Sequence, residues 1–106
     1  MALFRRRQKA AVAGRRAASQ EDLEHLEHFA RSRRGVEALI EPRTTVTETT
    51  VILIAHDGEW TRRRIGSPDE ARRWGHRLGI PVYDVALVGY PQRMRDYNAR
   101  RKQAEA

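Results

Sequence analysis

Five consecutive apolar residues, Val51 to Ala55, run directly into His56, Asp57 and Gly58, and a second extended stretch begins at Glu59. A strand without a polar face must be covered on both sides, so this run, reached through the Thr and Val residues from Val46 onward, belongs inside a sheet with neighbours on both edges. Asp-Gly between two extended stretches marks a hairpin, because a type I′ turn needs positive φ at both central positions. A two-residue loop predicts His56 opposite Glu59, Ala55 opposite Trp60, Ile54 opposite Thr61 and Leu53 opposite Arg62. Alternation then puts Trp60, Arg62 and Arg64 on one face, and Thr61, Arg63 and Ile65 on the other. Beyond Trp60 this strand is polar on both faces, which fits the edge of a sheet.

The flanking segments supply the rest of the fold. Ser19 followed by Asp22 has the form of a capping box, and Leu23, Leu26, Phe29 and Ala30 recur at helical spacing, predicting a helix over Gln20 to Arg34 stopped by Gly35. Val36, Ala38 and Ile40 alternate with Glu37, Leu39 and Glu41, a short strand that Pro42 ends. Ser67, Pro68 and Glu70 open a second helix with Ala71, Trp74 and Leu78 on one side and Gly79 at its end. Ile80, Val82, Tyr83 and Val85 suggest a fourth strand, Ala86 to Tyr90 a loop, and Pro91 the start of a last helix through about Arg101. The expected order is α-β-β-β-α-β-α, an α+β fold with a small, mainly antiparallel sheet of three to four strands and helices packed on it.

Charge divides the chain further. Net charge is +7, and residues 1–18 carry Arg5, Arg6, Arg7, Lys9, Arg15 and Arg16 without an acid. Residues 92–106 are also net basic, and the stretch between is near neutral. The expected organisation is a basic, disordered arm at 1–18, one α+β domain at 19–91, and a basic C-terminal helix and tail at 92–106. With 19 Arg against 2 Lys, part of this bias is what a GC-rich genome produces without selection for binding.

Several classes of function are disfavoured. Cysteine is absent, which excludes disulfides and thiolate metal sites and fits a reducing cytoplasm. No run approaches the ~20 apolar residues of a membrane span, and Ala10 to Ala13 is too short for the apolar region of an export signal. Leu3 and Phe4 form a single short apolar pair that gives little membrane binding. His25 and His28, with Glu24 and Glu27 beside them, flank the apolar stripe of the first helix and read better as a solvated edge than as a metal site. His56, Asp57 and Glu59 cluster at the hairpin tip, where a general base is conceivable, but the turn and cross-strand pairing account for the same residues. Ser19 and Ser67 serve as helix caps, and the glycines are isolated rather than gathered into a phosphate loop. A non-enzymatic role without a cofactor is expected.

Two basic groupings remain. One is Trp60, Arg62 and Arg64 on the edge strand, near Arg72, Arg73 and Arg77, with the indole available for stacking on a base. The other is the last helix, where Met94 and Tyr97 share a face and Arg93, Arg95, Arg100 and Arg101 spread around the rest. Together with Arg5, Arg6 and Arg7 of the arm they predict contact with RNA or a ribonucleoprotein, with Trp60 and Tyr97 as stacking residues. The alternative is a protein-protein interaction module, a homodimer or adaptor, that uses the edge strand or the apolar side of the C-terminal helix.

The stretches GEWTRRR from Gly58, GIPVYDV from Gly79 and GYPQRMRDYNARRK from Gly89 resemble a family of short, uncharacterised actinobacterial proteins. The resemblance spans roughly residues 35–102. It implies a cytoplasmic housekeeping or regulatory role in a GC-rich bacterium, and it assigns no activity, cofactor or catalytic residue.

Overall fold

The computed structural model describes residues 19–105. Helix α1 (Gln20–Ser32) leads into strands β1 (Glu37–Glu41), β2 (Thr50–Ile54) and β3 (Trp60–Arg64). Helix α2 (Pro68–Leu78), strand β4 (Val82–Asp84), a single turn α3 (Val85–Val88) and helix α4 (Gln92–Glu105) follow. The four strands form one open sheet in the order β3-β2-β1-β4. β1–β2 and β2–β3 are antiparallel, and β4 lies parallel to β1 after α2 has carried the chain across the sheet. The predicted α+β class, the interior position of β2 and the edge position of β3 all hold.

Both helix starts follow the local chemistry. Ser19 accepts from the amide of Asp22 while the Asp22 carboxylate accepts from that of Ser19, and the Ser67 hydroxyl accepts from the amide of Glu70 behind Pro68. The end of α1 departs from expectation, since the helix stops at Ser32 and Arg33 is extended. Tertiary bonds explain the early stop: the Arg33 guanidinium reaches Glu59 at 2.8 Å, and the amide of His56 donates to the Arg34 carbonyl. β2 likewise starts at Thr50 rather than at Val46, because its partner β1 ends at Glu41 and offers no ladder beyond it.

The hairpin register differs from the predicted one by a residue. Ile54 stands opposite Trp60, Leu53 opposite Thr61 and Ile52 opposite Arg62. Among the described residues only glycines have positive φ, so Asp57 does not take the left-handed conformation that a type I′ turn requires. The amide of Gly58 instead donates to the Ala55 carbonyl, Gly58 adopts φ +95°, and Ala55 and Glu59 close a three-residue loop. The slip exchanges faces. Trp60 and Arg62 join Ile52 and Ile54, whereas Thr61 joins Leu53.

The two faces are covered unequally. α1 and α2 pack Leu26, Phe29, Ala71 and Trp74 over Ala38, Ile40, Val51 and Leu53, with Ile65 beneath them. Each of these large side chains contributes on the order of 1.5–3 kcal/mol by leaving water. The opposite face carries a smaller cluster of Leu39, Ile52, Ile54 and Met94, edged by Trp60 and Val85. α4 covers it, and Met94 is the only buried residue of that helix.

Candidate interaction surfaces

The second face is assembled from charged residues set around its small apolar cluster. Arg93 spans α4 and the sheet: its Nη2 meets Glu37 Oε1 at 2.5 Å and its Nε donates to the Ala55 carbonyl at 3.1 Å. At the other end of β1 the Glu41 carboxylate accepts two bonds from Arg62 at 2.7 and 3.0 Å, one from the Thr50 hydroxyl at 2.7 Å, and one from the Tyr90 hydroxyl. Burial alone would raise the Glu41 carboxyl, but the bonds from Arg62, Tyr90 and Thr50 outweigh it and hold the group below the usual carboxylate range. The same bond, with burial, pushes the Tyr90 phenol up.

α4 is clamped to the hairpin tip at close range. A Cβ built on Gly58 would stand 2.0 Å from the Arg93 carbonyl oxygen and 2.9 Å from Tyr97 Cβ, so the two backbones meet where only glycine fits. The half-buried Trp60 donates its indole N–H to Asn98 Oδ1 at 2.7 Å, and the Arg62 guanidinium lies 5.3 Å from its ring centroid. Arg100 donates to the Asp57 carbonyl at 2.9 Å and, like Arg101, lies about 6 Å from the Tyr97 ring centroid.

The residues expected to meet RNA therefore divide. Arg62 and Arg93 are held in ion pairs with Glu41 and Glu37, and Arg101 pairs with Glu105 within its helix. Trp60 and Tyr97 pack between sheet and helix rather than standing free. Arg64 is exposed and forms no ion pair among the described residues, and Arg5, Arg6 and Arg7 lie outside them. On α2, Arg72 is tied to Asp69 and Asp84. Arg73 and Arg77 have no such partner among the described residues and rim an open groove floored by Leu23, Ile65 and Trp74.

His25 and His28 stay neighbours on α1, and His25 is half-buried rather than on a solvated edge. His25 Nε2 meets Thr61 Oγ1 at 2.5 Å across to β3, and burial followed by the nearby Arg63 charge pulls its pKa down. No group of three His, Cys, Asp or Glu residues able to hold a metal occurs among the described residues. At the hairpin tip the Glu59 carboxylate is taken by Arg33, whose hydrogen bonds lower its pKa, and Asp57 Oδ1 accepts from the amide of Glu59. No carboxylate engages the exposed His56 ring among the described residues.

One surface has no counterpart in the sequence expectations. Tyr83, Leu87, Val88 and Tyr90 are 41, 83, 58 and 37% exposed, all within eight residues of β4, α3 and the link to α4. Beside them a cavity of about 190 Å³ opens onto Leu39 and Ile54, walled by Tyr83, Val88 and Pro91, with Glu37 and Arg93 at its margin. The segment expected as a loop forms one helical turn, closed by the Gly89 amide on the Val85 carbonyl at 2.8 Å, and that turn presents Leu87 and Val88 outward. The signal available in the sequence was Ala86 to Tyr90, ALVGY, whose Leu87 and Val88 no predicted strand or helix claimed.

Fold and surfaces define a small α+β domain with an open four-stranded sheet, helices on both faces and an exposed apolar corner. No protein-family model matches the chain, and no curated protein or solved structure matches it. No helix among the described residues is long and apolar enough to cross a membrane.

Proposed function

We propose that this chain is a non-enzymatic protein-interaction module that engages its partner through the corner formed by Tyr83, Leu87, Val88 and Tyr90. The observation that carries this reading is the exposure of four large apolar side chains next to a cavity, in a chain of which one third of the residues are charged. Large apolar side chains gathered within eight residues beside a cavity fit a binding surface better than single exposed residues scattered over a molecule. We take up the homodimer or adaptor expected from the sequence and propose the corner after β4 as its surface, in place of the β3 edge and the last helix. A cytoplasmic setting suits a cysteine-free chain, and so does the resemblance to short actinobacterial proteins.

The test is capture of partner proteins by the tagged chain after nuclease treatment, run with the wild type and with Leu87→Asp side by side. A partner retained by the wild type and lost by the variant supports the reading. Equal capture by both proteins overturns it.

RNA or a ribonucleoprotein is the second reading, supported by a specific arrangement. Six cations precede Ser19 with no acid, and Arg73 and Arg77 rim a groove without carboxylate partners among the described residues. Binding of this kind weakens steeply with salt, because each phosphate contact releases counterions. Affinity for single-stranded RNA that is unchanged between low and high salt removes this reading.

A further inference from the structure

We infer that the apolar corner is self-complementary, and that two copies of the chain associate through it with Leu87 of each filling the cavity beside Tyr83 of the other. The inference rests on the interaction reading above and names the partner. Projection and recess occur on one patch. Leu87 projects from α3, 83% exposed, and the adjacent residue, Val88, forms a wall of the cavity. An apolar cavity of ~150 Å³ accommodates a benzene-sized group, so the roughly 190 Å³ here has room for a leucine side chain. A projection and a recess on the same surface satisfy a two-fold interface, in which residue i meets j and j meets i.

Low charge suits this place to a second copy. Two chains of net charge +7 repel, and the repulsion is least where neither contributes charge to the contact. From Ile80 to Pro91 the one charged residue is Asp84, which Arg72 neutralises at 2.9 Å, and the two charges at the cavity margin, Glu37 and Arg93, neutralise each other at 2.5 Å. Loss of charge at the centre of a contact is also the compositional mark of protein interfaces. β4 adds an edge, since it pairs with β1 on one side and with no strand on the other among the described residues. Unpaired strand edges readily accept another chain.

Area sets the strength. A standard interface uses ~20–30 residues a side, and the patch from Ile80 to Pro91 offers about half of that, with only three residues of strand to pair. The association is therefore weak and depends on concentration, with a dissociation constant in the micromolar range or above.

The experiment is sedimentation equilibrium of the full chain from micromolar to millimolar concentration, at low and high salt, for wild type, Leu87→Asp and Leu87→Met. The wild type and Leu87→Met should rise from the 12.3 kDa monomer toward twice that mass, and the rise should persist or sharpen at high salt as repulsion is screened. Leu87→Asp should remain at monomer mass with an unchanged melting temperature, because the replaced side chain stands in solvent. Self-association is overturned if the wild type stays monomeric throughout, or if Leu87→Asp associates as the wild type does. A monomeric wild type whose captured partner still depends on Leu87 rejects the second copy and keeps the interaction reading, with a different protein at the corner. Loss of both dependences removes both.

Discussion

Gly58 is the residue on which most geometry converges, and its role was only partly visible beforehand. Asp-Gly announces a turn, but the demand for glycine comes as much from the Arg93 carbonyl arriving 2.0 Å from where a Cβ would stand as from φ +95°. Gly58→Ala should therefore cost about 3 kcal/mol in chemical denaturation, strain and collision acting together. Glu41 makes a prediction about pH. Its carboxyl is held below the ordinary value of 4.5, so the unfolded chain takes up this proton first as pH falls. The stability contributed by Glu41 is thus fully present above about pH 4.5 and lost as pH falls through the lower folded value. Glu41→Gln should flatten the acid limb of melting temperature against pH. His25 acts with the same sign in a higher window, because burial and Arg63 hold the ring below 6.5. Its contribution is complete above about pH 6.5 and declines below it, and His25→Gln should remove that upper slope.

At the scale of elements, α4 is held mostly by polar contacts, with a single buried side chain. It reaches the sheet through Met94, the Arg93–Glu37 pair, the Trp60–Asn98 bond and the Arg100 bond to the Asp57 carbonyl. Met94→Ala removes its one buried side chain and should weaken docking by about 2–3 kcal/mol. In a Trp74→Phe background the released Trp60 would report this as a red-shifted emission, with faster amide exchange along α4 and little change in α1. A Trp60 emission that stays blue in Met94→Ala would show that the ion pair and hydrogen bonds hold the helix unaided. The basic residues of this helix were easy to find in the sequence. That Arg93 bridges to β1 was not, because Glu37 is 56 positions away and nothing local couples them.

Across the whole molecule, charge and fold separate. Six of the 21 Lys and Arg residues precede Ser19 while all 14 acids follow it, so the described fold lies within one side-chain charge of neutral. Removing residues 1–18 should then abolish most polyanion binding. For a single-stranded nucleic acid the slope of log affinity against log salt should shrink by about 4, from the loss of six cations at ~0.7 each. Capture of protein partners through Leu87 should survive the same truncation. A truncated chain that retained the full salt slope would instead place the nucleic-acid contact on Arg64, Arg73 and Arg77 of the fold.

The main helices and strands were legible, because their signals are local: capping serines at Ser19 and Ser67, Pro68 at a first turn, the apolar periods, and the Val51–Ala55 run; the end of α1, the start of β2 and the turn at Val85–Val88 were not. Interactions between segments decided the remainder. The hairpin register turned on whether Asp57 would enter positive φ, and a slip of one residue exchanged the faces of Trp60 and Thr61. The pairing of Arg62 with Glu41 and of Arg93 with Glu37 followed from strand order and from the path of α4. Leu87 and Val88 resemble core residues in composition, yet they follow β4 at the end of the sheet and stand exposed among the described residues. Burial is a property of what packs opposite a side chain, and no local stretch of sequence contains both partners.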